Sequence, residues 1–148
     1  MKKENEELLV NKIIEYLAQA DVFSNKPKIK IDYLGDKIDN YSLEAVPAER
    51  IVNTFVDGSK RKQKIFVFAS RKTYSQDEID NLENYKLFDS LAEWIEEQNE
   101  DENYPDISEI ENIEEIEAIE IIDSPYVAAV SENEARYQME IKITYIQN

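Results

Sequence analysis

The last fourteen residues of "ARYQMEIKITYIQN" constrain this chain more than any other stretch. Tyr137, Met139, Ile141, Ile143 and Tyr145 alternate with Arg136, Gln138, Glu140, Lys142 and Thr144. Successive side chains of a strand point to opposite faces, so five clean alternations define a long strand with one apolar and one wet face. A strand of that kind needs a sheet around it and something to cover its apolar side. "YVAAV", set off by the turn "SENE", predicts its hairpin partner.

Other strands follow from the same test. "KIKIDYL" after Pro27 alternates Ile29 and Ile31 with Lys28 and Lys30, and "YSLEAV" is a short run stopped by Pro47, with the turn-rich "GDKIDN" between them. "RIVNTFV" and "KIFVFAS" are β-branched and aromatic runs on either side of "DGSKRKQ". Gly58 tolerates positive φ, so Asp57-Gly58 predicts a second hairpin, with the nearly all-apolar arm Ile65–Ala69 in the middle of the sheet. Residues 4–20 predict a helix, with Leu9, Ile13 and Leu17 at i, i+4, i+8. Ser75 and Glu78 form a capping box ahead of Ile79, Leu82, Tyr85, Phe88, Leu91 and Trp94, predicting a second helix over about 76–97 with a kink near Tyr85.

Ile107, Ile110, Ile113, Ile116, Ile119 and Ile122 recur every three residues. Three suits neither a strand nor a straight helix, so the first part of this stretch reads as loop or one helical turn and "IEAIEII" as a strand. The expected fold is α+β: an antiparallel or mixed sheet of five to six strands, with two main helices packed on one face, in a single domain over 1–148.

Composition narrows the chemistry. The 148 residues include no His and no Cys, which removes imidazole bases, Ser-His-Asp and Cys-His nucleophiles, thiolate or imidazole zinc sites, and disulfides. Gly35 and Gly58 are the only glycines, so neither a GxGxxG turn nor a P-loop can be written. Glu93, Glu96 and Glu97 share a helix face, and "NEDEN" is acidic, yet no calcium-loop glycine frames either. The expectation is a protein that is not an enzyme and carries no cofactor and no metal. The N-terminus lacks an apolar h-region and the apolar runs are too short to cross a bilayer, which predicts a soluble chain made in the cytoplasm.

Charge is segregated. Leu87–Ala135 holds 17 acidic residues and no Lys or Arg, whereas the remainder holds 17 basic and 16 acidic side chains, so the formal net charge of −16 arises in that segment. Such a segment is a solvated surface, or one that repels nucleic acid or meets a basic partner. Against it stand Lys60, Arg61, Lys62 and Lys64, expected near a hairpin tip. They read as a solubilising turn, as a weak phosphate patch, or as a contact for the acidic face of another copy, where Glu114, Glu115, Glu117 and Glu120 are the candidate counterparts.

The order of "YSLEAVP", "FVDGSKRKQKIFVFASR", "FDSLAEWIEEQN", "IEAIEIIDSPYV" and "ARYQMEIKITYIQ" resembles small phage proteins labelled minor capsid protein in low-GC Gram-positive hosts, themselves similar to the tail-terminator proteins of long-tailed phages. With the opening helix these stretches span most of the chain, although 107–122 is more acidic than the family pattern. The resemblance implies a virion or tail-like-particle protein. Its copies would form a ring, expected to be a hexamer, at the head-proximal end of the tail tube, ending tube growth. Implied partners are the tail-tube protein, a head-completion or collar protein, the sheath of a contractile tail, and DNA only as passing cargo, with no membrane. The alternative is a small acidic interaction protein, such as a nucleic-acid mimic that inhibits a DNA-binding partner.

Overall fold

A computed structural model describes residues 3–23, 27–32, 34–35, 40–47, 50–74 and 78–148, with backbone alone at 3–6 and 78–80. The chain runs α1 (Lys3–Leu17), β1 (Ile29–Ile31), β2 (Tyr41–Val46), β3 (Ile51–Thr54), β4 (Lys60–Thr73), α2 (Glu78–Glu100), β5 (Ile113–Val130) and β6 (Glu134–Gln147). The fold is α+β, with two helices and a six-stranded mixed sheet. The sheet order is β1-β2-β4-β6-β5, and β3 pairs with β4 beyond the end of β2. Only β1 and β2 are parallel. The Ser75–Glu78 capping box and most of the "GDKIDN" turn lie outside the described residues.

Alternation in β6 explains the layering. Tyr137, Met139, Ile141, Ile143 and Tyr145 are buried, in register with Ser70, Phe68, Phe66, Lys64 and Lys62 of β4. They share one core with Leu9, Ile13 and Leu17 of α1 and Phe88, Leu91 and Ile95 of α2. Val67, Ala69 and Ile146 point the other way and lie outside that core, so both helices cover the same face. Within α2 the 3.6-residue period prevails over a strict three-residue stripe: Ile95 is buried while Leu82 is exposed. The helix is unbroken through Tyr85.

Aromatic rings fasten α2 to the sheet. Centroids lie 5.8 Å apart for Tyr41–Phe68 and Phe68–Phe88, 6.1 Å for Phe88–Tyr137 and 5.0 Å for Tyr85–Tyr137. Such pairs each contribute about 0.5–1.5 kcal/mol beyond the area they bury. Tyr16 of α1 meets Trp94 at 5.0 Å and donates its hydroxyl to the Asn103 carbonyl at 2.9 Å. Burial, with the neighbouring Tyr104, pushes that phenol well above its ordinary pKa.

The three-residue isoleucine period resolves into a bulged strand. Residues 116–122 and 126–130 are parts of one 18-residue strand, β5, rather than two. Its pairing with β6 slips by one residue at Ile113/Glu115, Ile116/Ala118, Ile121/Asp123, Asp123/Tyr126 and Val127/Ala129. A bulge sets two residues against one on the partner strand. Each of the first two slips thereby turns a two-residue period into three, returning Ile113, Ile116 and Ile119 to the core opposite Gln147, Tyr145 and Ile143. Pro125 sits inside the fourth slip, on an edge strand, where a missing N–H is tolerated.

Candidate interaction surface

The turn between β3 and β4 is built by Phe55–Ser59. Phe55 donates its N–H to the Ser59 carbonyl at 2.8 Å, and Asp57 Oδ1 accepts from the Ser59 amide at 2.9 Å and hydroxyl at 2.6 Å. These bonds hold the Asp57 carboxyl below its ordinary pKa. Gly58 supplies φ = 91°, in the region that only glycine enters without strain.

Lys60, Arg61, Lys62 and Lys64 are therefore residues of strand β4, not of the tip. Their side chains alternate between faces. Lys62 is only 8% exposed, opposite Tyr145. Arg61 lies on the other face, where its Nε and Nη2 donate to the two carboxylate oxygens of Glu117 at 2.6 and 3.2 Å. Its Nη1 reaches Asn53 Oδ1 at 3.2 Å, and the guanidinium sits 5.1 Å from the Phe55 ring centroid. One side chain thus joins β3, β4 and β5. Arg61 and Glu117, expected to meet between copies, meet within one chain. Glu114, Glu115 and Glu120 are exposed along β5, with Glu120 in register with Lys142.

The face away from the helices carries a polar network that spacing along the chain does not reveal. Arg136 bonds Glu44 at 2.8 Å across 92 residues and Gln138 at 2.8 Å, while Ser42 donates to Glu44 at 2.6 Å. Gln138 donates to the Tyr126 hydroxyl at 2.6 Å. Burial pushes the Glu44 carboxyl upward, but the hydrogen bonds from Arg136 and Ser42 and the Arg136 charge outweigh it, and its pKa is lowered. Asp123 stands directly opposite Glu140. A hydrogen bond between these two carboxyls, with burial and like-charge repulsion, raises the Glu140 pKa.

The two edges of the sheet differ in how they are finished. On one side Asp32 Oδ1 accepts the Ala45 amide at 2.8 Å, capping β2. On the other, Asn99 Oδ1 accepts the Ile119 amide at 3.0 Å and Tyr104 donates to the Glu117 carbonyl at 2.8 Å, capping the first half of β5. Beyond those caps β3 is exposed at every position, including Ile51 and Val52, and Val56 is fully exposed. Ile122, Tyr126 and Val130 are exposed along the outer half of β5. Both stretches, Ile51–Val56 and Ser124–Ser131, lack any charged residue. Among eight-residue windows of so acidic a chain, "SPYVAAVS" was the available signal.

Glu93, Glu96 and Glu97 are exposed on α2, and the described residues hold no group of three or more Asp, Glu, His or Cys that could bind a metal ion. No helix among the described residues is long and apolar enough to cross a membrane. No protein-family model matches the chain, and no curated protein matches it.

Proposed function

We propose that this chain is a structural, self-assembling subunit rather than a catalyst: a ring-forming terminator of a phage tail or tail-like particle. The observation that carries this reading is the unlikeness of the sheet's two edges. One ends in the β3 wing, flanked by Arg50, Lys60 and Lys64; the other is β5, flanked by Glu114, Glu115, Glu120 and Asp123. A contact between two different surfaces repeated by every copy generates a ring when its rotation closes. The segment order set out above supplies the tail-terminator part of the reading. An acidic lining would let DNA pass by repelling its phosphates.

The test is mass measurement of the purified chain, alone and with tail tubes. A closed oligomer that binds one end of the tubes is the expected result. A monomer at all concentrations that never joins the tubes would refute the reading. A monomer that instead binds and inhibits a DNA-binding enzyme would favour the mimic.

A further inference from the structure

We infer that the uncharged edge Ile51–Val56 of one copy docks on the uncharged outer edge Pro125–Val130 of β5 in the next copy. This rests on the ring reading, to which it adds the contact surface.

Native sheets guard their edges, because an exposed apolar edge templates pairing with another chain. This sheet guards selectively. Asp32 caps β2, and Asn99 and Tyr104 cap β5 up to Ile119. The stretches left outside those caps are uncharged and expose apolar side chains: Val52 is 50% and Val130 55% exposed, and Ala128 and Ala129 are exposed beside Val130.

Charge selects the occupant. Two copies of a chain with net charge −16 repel unless they meet through neutral or opposite surfaces. Around the first stretch the exposed or half-exposed bases are Arg50, Lys60 and Lys64, since Lys62 is buried and Arg61 is paired with Glu117, and the one acid, Asp57, is held in the turn by its bonds to Ser59. Around the second, Glu120–Glu134 contains four acids and no base; Glu134 lies 3.8 Å from Arg71 and Glu120 is in register with Lys142, which leaves Asp123, with Glu140 opposite it, and Glu132 as the excess acid. Each stretch is thus a neutral apolar centre with a charged rim, and the rims are opposite in sign. That is the anatomy of a specific interface, and a second copy of this chain supplies the complement. Pairing two β5 edges would set acidic rims together, and pairing two β3 edges would set basic rims together.

Geometry also bounds the contact. The slips at Ile121/Asp123, Asp123/Tyr126 and Val127/Ala129 interrupt the regular spacing of the β5 backbone, and Pro125 has no N–H. The contact therefore consists mainly of side chains.

The chain has no cysteine, so introduced thiols report without background. Val52→Cys and Ala128→Cys, both exposed, are made singly, checked by circular dichroism for the parent spectrum, mixed and oxidised. The expected dominant product is the mixed disulfide, with little self-linked 52–52 or 128–128 product, and the double variant gives a ladder ending at the ring's mass. Should either variant lose the fold, Thr54→Cys and Ala129→Cys replace them. An oligomer of unchanged mass without the mixed link overturns this contact and leaves the ring reading standing. Self-linked products as the main species overturn it in favour of a two-fold contact. A monomer that ignores tail tubes removes both readings.

Discussion

If β5 encodes its isoleucine period through bulges, deletions there should obey an unusual rule. Glu114 is the extra residue of the first slip, since Ile113 pairs with Gln147 and Glu115 with Ile146. Removing it leaves Ile113 next to Glu115 in ordinary alternation, still opposite Gln147 and still in the core. The expected cost is about 1 kcal/mol or less, from altered local twist. Lys142 of β6 lies instead in the unbroken register with β4, Lys64↔Ile143, Ile65↔Lys142, Phe66↔Ile141, where no bulge can absorb a deletion. Removing it turns either Ile143 and Tyr145 or Ile141, Met139 and Tyr137, all at most 1% exposed, onto the wet face. The loss is at least that of two buried large apolar side chains, about 2–5 kcal/mol each. Against a total stability of about 5–15 kcal/mol this is a large fraction. Trp94 is the single tryptophan and packs on Tyr16, so urea unfolding followed by its fluorescence reads both variants. Equal costs for the two deletions, or a Glu114 deletion that unfolds the chain, would refute the bulge account.

Other perturbations separate the two carboxyl environments and the two hairpin ingredients. Glu44→Gln should destabilise at neutral pH, and the difference from the parent should fade as pH falls below 4.5 through the lowered folded-state pKa, because the paired carboxylate contributes only while ionised. Glu140→Gln should do the reverse. The folded protein holds that proton more tightly than the unfolded chain, so the Asp123–Glu140 pair costs stability once pH rises through the raised pKa. The substitution then stabilises near neutrality and loses its effect below pH 4.5, as paired urea titrations across pH would show. At Gly58 an added Cβ meets no atom within 4 Å, so Gly58→Ala should cost about 1 kcal/mol from its positive φ alone. Phe68→Ala, at the centre of the ring stack, should cost about 3–5 kcal/mol by the same assay.

What the chain declares about itself depends on whether the deciding interaction is local. The β6 alternation, the Asp57-Gly58 turn and the Leu9–Ile13–Leu17 stripe are local regularities, and each appears in the structure as a strand, a hairpin and a buried helix face. The isoleucine period of three was visible but not decodable, because a bulge is defined by the residue it leaves unpaired, and the pairing strand β6 lies further along the chain. "KRKQK" reads as a turn because it lacks apolar alternation. It is a strand because β3 and β6 pair with it on either side, and no propensity within those five residues reports that. Arg61–Glu117 and Arg136–Glu44 join residues 56 and 92 positions apart, beyond any spacing rule.

The same distinction orders the surface. Acidic residues crowd β5 where Asn99 and Tyr104 cap its backbone, continue to Asp123, and are absent from Ser124–Ser131. Had charge been placed only for solubility, the uncapped half would have needed it most, since that half exposes Tyr126 and Val130. Leaving it neutral is costly for an isolated monomer and favourable for a subunit that buries it. Opposite, β3 is likewise neutral and exposed at all four positions, with basic residues close by. The two neutral stretches lie at opposite sides of one sheet with rims of opposite sign, which is the arrangement the proposed head-to-tail contact would bury.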